Sequence, residues 1–105
     1  MDMTSSEIII LEDNRKATGW ITAIIENRWC QAKVYDDPST FGINDGRVSK
    51  LAVGKLGTVK SGQNFFDQID FNYDRGLDFD NLPDGVLDAI VSVLEKLPKV
   101  FEDAT

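Results

Sequence analysis

The chain has 105 residues, an apolar fraction of 42% and a single cysteine, Cys30. That length suits one domain with its own core, needing neither metal nor disulfide, and the lone cysteine fits a reducing compartment. With no histidine there is no Ser-His-Asp or Cys-His nucleophile, no histidine base and no ordinary structural zinc site, while a net charge of −7 argues against non-specific DNA or RNA binding, which depends on Lys and Arg neutralising phosphates.

Residues 1–6 are small and polar and are expected to fray, as are residues 102–105. The N-terminus has no basic and apolar pattern of a signal peptide. No apolar run approaches the ~20 residues that cross a bilayer. A cytoplasmic chain with no membrane role is the expectation. Glu7 to Leu11 is a β-branched run that predicts a strand, and Glu12 to Lys16 a charged turn.

Strands at Gly19–Ile25 and Trp29–Tyr35 follow as a hairpin around Glu26-Asn27-Arg28. With Glu26 opposite Trp29, Ile25 meets Cys30, Ala23 meets Ala32 and Ile21 meets Val34, giving one wholly apolar face. The other face carries Trp20, Thr22, Ile24, Gln31, Lys33 and Tyr35. A four-residue loop of the same parity serves equally well, whereas a slip by one residue would mix the faces.

Asp36 to Thr40, Gly42 and Asn44-Asp45-Gly46 are turn signals that lead into a strand from Arg47 to about Val53. A glycine-bearing loop over 54–62 comes next. Phe65 to Tyr73 alternates, placing Phe65, Ile69, Phe71 and Tyr73 on one face. Asp74-Arg75-Gly76 reads as a turn and Leu77 to Asp80 as an irregular lead into a helix. Asn81 is its expected N-cap, with Pro83 and Asp84 in the first turn. Val86, Leu87, Ile90, Val91, Val93, Leu94 and Leu97 form an apolar stripe at helical spacing, and Pro98 ends it. The sum is an α+β fold: an antiparallel sheet of four to five strands with one C-terminal amphipathic helix packed on one face.

The block KVYDDPSTFGINDGRVSKL over Lys33–Leu51, followed by NYDRGLDFD, resembles a family of small uncharacterised bacterial and phage proteins, a domain of unknown function. Leu77 stands where that family usually has tryptophan. The resemblance implies a bacterial or mobile-element origin. Carried over residue by residue, it points to Lys33, Tyr35, Ser39, Phe41, Arg47, Ser49, Lys50, Tyr73, Asp74 and Arg75 as candidate binding residues. Gly42, Gly46 and Gly76 are its structural turn positions.

These residues bring no catalytic motif, so no enzyme activity, cofactor or metal is expected. Arg47, Lys50, Lys33 and Arg75 are either an anion-binding cluster or loop pins paired with Asp36, Asp37 and Asp74, and the second reading is favoured. Phe41 and Ile43 either fold over Trp20 and Tyr35 as a minor core or leave them, with Trp29 and Ile24, as an exposed patch for a protein partner. The minor core is favoured. Asp78 and Asp80 lack the third ligand of a calcium loop. Cys30, facing the helix, is expected to be inert. The leading functional reading is a non-enzymatic module, monomer or weak homodimer, that binds another protein through the 33–51 region. An acidic decoy of a nucleic-acid-binding enzyme comes second and a small anionic-ligand binder third.

Overall fold

The computed structural model describes residues 8–57 and 68–101. Among them, six strands form one antiparallel sheet in sequence order: β1 (Ile8–Asn14), β2 (Trp20–Ile25), β3 (Arg28–Val34), β4 (Val48–Lys55), β5 (Ile69–Asp74) and β6 (Leu77–Asp80). One helical turn, α1 (Arg15–Thr18), joins β1 to β2, and α2 (Val86–Glu95) follows the sheet. The fold is α+β, with more strands than the four to five expected. Leu77–Asp80 is a strand because it returns directly along β5, Phe79 opposite Asn72. Residues 12–14 belong to β1 because a register shift between Ile10 and Glu12 lets the strand run on, with Asp13 opposite Ile21.

The hairpin sorts its side chains by parity as expected, but two residues out of the expected register. Ile25 pairs with Arg28, Ala23 with Cys30 and Ile21 with Ala32. The cause is the turn: Glu26 and Asn27 both take left-handed backbone, φ 56° and 58°, the geometry of a two-residue type I′ connection. A shift of two keeps every residue on its face. Ile21, Ala23, Ile25, Cys30, Ala32 and Val34 are all buried on the side of α2. Val48, Leu51, Val53 and Phe71 extend that face, and Ile90, Val91, Val93, Leu94 and Leu97 close it from the helix.

Three local expectations are corrected. Phe71 joins the main core, yet Ile69 lies in a second cluster with Trp29, Ala52 and Phe79. A register shift between Val53 and Gly54, which pairs Gly54 with Ile69, interrupts the alternation. Phe65 lies outside the described residues. The N-cap of α2 is Gly85, in left-handed backbone at φ 83°, not Asn81. Pro83 and Asp84 precede the helix, where the Asp80 carboxylate accepts the Leu82 N–H at 3.0 Å. At the other end Lys96 and Leu97 tighten the last turn by donating to Val93 and Leu94, and Pro98 follows.

The third correction concerns the 36–46 connector. Ile43 is buried in the main core rather than over Trp20 and Tyr35, and Phe41 is 58% exposed. The connector therefore lies on the helix side of the sheet, and no minor core of Phe41 and Ile43 forms.

Candidate functional site

Arg47 explains why the connector takes that side. Its side chain is buried, with Nε donating to the Tyr35 carbonyl at 2.8 Å. Nη1 donates to the carbonyls of Glu95 at 2.8 Å and Leu97 at 2.6 Å. The guanidinium thus satisfies carbonyls that the end of α2 leaves without helical donors. Glu95 completes the clamp from the helix. An acid in the last turn opposes the helix dipole, but its carboxylate accepts the backbone N–H of Arg47 at 2.7 Å and of Val48 at 3.3 Å.

The glycines make the approach possible. A Cβ at Gly46 would overlap Glu95 Oε2, and one at Gly42 would overlap the Gly46 carbonyl. Asn44 and Asp45 hold left-handed backbone between them, φ 54° and 59°, a conformation these two residue types tolerate. Ser39 Oγ accepts the Phe41 N–H at 3.1 Å, and the Tyr73 hydroxyl donates to the Phe41 carbonyl at 2.9 Å. Ser49 is buried, and its carbonyl accepts the Arg75 N–H. Arg75 itself turns the chain at φ 58°. Gly76 has open space around it and accepts the Asp74 N–H in that turn. Arg47, Ser39, Tyr73, Gly42 and Gly46 are thereby committed to holding the loop, while the buried Ser49 hydroxyl and Arg47 Nη2 make no hydrogen bond among the described residues.

The segment after α2 is pinned from one end of the sheet, by residues of the β1–β2 and β3–β4 connections. Arg15, 6% exposed, donates from Nη1 to the Pro98 carbonyl at 2.9 Å while its other nitrogens grip the Asp13 carboxylate. That grip lowers the Asp13 pKa. The Asp36 carboxylate accepts the N–H groups of Val100 and Phe101, each at 2.9 Å. Those bonds, the one from Val100 foremost, hold Asp36 below the usual carboxylate range. Burial pushes the Cys30 thiol up to about 12, so the thiolate that reacts is scarce at neutral pH.

Lys33 and Lys50 face the other way. They alternate with the buried Ala32, Val34 and Leu51, so both stand on the sheet face opposite α2. Pairings of Trp20 with Lys33, Lys33 with Lys50 and Lys50 with Asp74 place four side chains in one row across β2 to β5. Lys50 Nζ lies 3.6 Å from Asp74 and 6.0 Å from the centre of the Trp20 ring. Lys33 Nζ lies 5.6 Å from the Tyr35 ring, which is 42% exposed. Two lysines directly opposite one another repel, and the aromatic faces and Asp74 offset part of that cost. Arg75 adds a contact to Asp74 at 3.2 Å. A cavity of about 400 Å³ adjoins the row, walled by Gly19, Lys33, Tyr35, Asp36 and Val100.

The four cations therefore do not converge. Arg47 is turned into the helix end, while Lys33 and Lys50 share the opposite face with Arg75 at its margin. Trp20 is half-buried, between the two alternatives posed for it. Sequence reasoning missed Glu95 and Arg15. An acid in the last helical turn was a signal for the first; nothing in the local pattern separated the buried Arg15 from its charged neighbours.

No curated protein and no solved structure matches this chain. A family model does match, over residues 19–98, described as a domain of unknown function, DUF7678. The match spans β2 through α2 and includes both the clamp and the exposed row. The chain belongs to that family.

Proposed function

We propose that this protein is a non-enzymatic interaction module that docks another protein on the sheet face opposite α2, through Trp20, Lys33, Tyr35, Lys50 and the flanking Asp74 and Arg75. The observation that carries this reading is the cross-strand pair of Lys33 and Lys50. Like charges set opposite one another cost stability, and nothing in the packing of the core asks for them. Their use is then to meet an anionic group on a partner, with Trp20 and Tyr35 as the apolar contacts beside them. The partner surface would carry Asp, Glu or a modified side chain rather than a bare phosphate polymer, given the overall charge of −7. The family-like 33–51 block supports a bacterial or phage setting, and the buried free thiol is in keeping with the cytoplasm.

The acidic-decoy reading is less well supported. Cations interleave with acids on the described surface, as in Lys50–Asp74, Arg28–Asp70 and Lys99–Asp37, whereas a decoy needs a continuous negative face. The ligand-pocket reading is weakened because Arg47 is buried against the end of α2, with Nε and Nη1 on carbonyls, on the face away from Lys33 and Lys50.

The test is affinity capture from the source cells with wild type, Lys33→Glu/Lys50→Glu and a Lys55→Glu control at the far end of β4. A partner held by wild type and by the control, and at least about tenfold depleted on the double variant, is the expected outcome; a loss of that size corresponds to about 1.4 kcal/mol. Equal capture by a folded double variant would remove this face from the account.

A further inference from the structure

The two edges of the sheet are guarded very differently. β6 is four residues long and carries Asp78 and Asp80, the short, charged edge that natural sheets use against unwanted pairing. β1 is seven residues long, and its first four, Ile8 to Leu11, have no charge and no proline. Ile9, Ile10 and Leu11 are 59%, 48% and 54% exposed. Among the described residues β1 has one strand neighbour, β2. Regular register with β2 runs from Ile8 to Ile10, with Ile8 on Ile25, Ile9 on Ile24 and Ile10 on Ala23, before the shift at Leu11.

We propose that the β1 edge is a homodimer interface, in which β1 of a second copy pairs antiparallel with β1 across a two-fold axis through Ile9. Antiparallel pairing about such an axis keeps each face of the sheet on its own side and requires residues of like parity to meet. Ile9 then opposes Ile9 of the second copy, and Ile8 opposes Ile10 of the second copy. All three pairs of the regular stretch are apolar. The occupant follows from complementarity. The other edge, β6, would set Asp78 and Asp80 against isoleucine; β1 matches the β1 edge on both faces. The interface would extend the six-stranded sheet into one of twice the width, with main-chain hydrogen bonds supplying the register. It is small against the ~1,600 Å² of a standard interface, so dissociation in the range of roughly 10–100 μM is expected. Because each copy carries −7, association should strengthen as salt screens the repulsion.

Sedimentation equilibrium of the full chain tests this. Wild type should weigh as a monomer at low micromolar concentration and approach twice that mass at several hundred micromolar. Ile9→Lys, which would place two lysines on the axis at a position already 59% exposed, should stay monomeric throughout, while Leu77→Lys on the β6 edge should assemble as wild type does. Amide exchange on wild type gives an independent reading, with protection of the outward amides of Ile8–Leu11 rising with protein concentration. The pairing is overturned if wild type remains a monomer up to about 1 mM, including where an added extended peptide binds β1 instead. Undiminished assembly of Ile9→Lys, or loss of assembly in Leu77→Lys alone, overturns it as well.

Discussion

The two faces of this sheet use the same residue types to opposite ends. On the helix side Arg47 is buried, and its Nε and Nη1 reach the carbonyls of Tyr35, Glu95 and Leu97. On the other side Lys33 and Lys50 stand opposite each other at partial exposure, with aromatic rings and one carboxylate near them. A cation whose neighbours are backbone carbonyls fixed by the fold is a structural part. A pair of cations held close against their own repulsion is a cost borne by the fold. One contiguous stretch of sequence, 33–51, supplies both, so closeness in a motif does not mean a shared role.

The sharpest way to break the contrast is at the glycine beneath the clamp. Gly46→Ala drives a methyl into the Glu95 carboxylate, and forced overpacking of this sort costs about 2–3 kcal/mol; a urea midpoint unchanged from wild type would show that the loop has room. Removing the carboxylate instead should cost less. Glu95→Ala leaves the N–H groups of Arg47 and Val48 without their acceptor and should lose about 1–2 kcal/mol, while Glu95→Gln, which keeps an acceptor, should lose about half as much. Thermal melts of the pair, compared at one pH, give the ratio.

The connector illustrates what could and could not be read beforehand. The parity of β2 and β3 was legible because period-two alternation separates Ile21, Ala23 and Ile25 from Trp20, Thr22 and Ile24 whatever the turn. The register was two residues out because Glu26-Asn27, rather than Asn27-Arg28, takes the left-handed turn. Simple alternation puts Ile69 on the wrong face, because a bulge leaves no mark in an alternating string. The side taken by the connector was illegible for another reason. A loop has no period, and the contact that decides it joins Gly46 and Arg47 to Glu95, 48 residues from Arg47. The glycines of the block announced tight packing without saying against what.

Asp36 offers a milder test, read in pH rather than in denaturant. Its carboxyl is held below the ordinary range by the N–H groups of Val100 and Phe101, so the folded state favours the charged form. The stability it contributes is present above the unfolded value of ~3.9 and is lost as pH falls through the lower folded value. Melting temperature against pH should therefore fall less steeply below about pH 4 in Asp36→Asn than in wild type. Parallel curves would mean that the carboxylate does not hold the C-terminal segment.

The smallest effect belongs to the exposed row. Lys33→Glu replaces a repulsive cross-strand pair with an attractive one opposite Lys50, and should leave stability unchanged or raise it by up to about 0.5 kcal/mol. A gain in stability together with a loss of partner capture would identify the lysine as one kept for binding. A loss above about 1 kcal/mol would place Lys33 with Arg47 as part of the framework.

The division between the two faces is tested most directly by urea unfolding of Arg47→Ala beside Lys33→Ala/Lys50→Ala. Arg47→Ala strips three carbonyls of their donor and should lose about 3 kcal/mol, whereas the double variant should unfold within about 0.5 kcal/mol of wild type. Equal losses in the two, or a stable Arg47→Ala beside a weakened double variant, would contradict the assignment of one face to holding the fold and the other to meeting a partner.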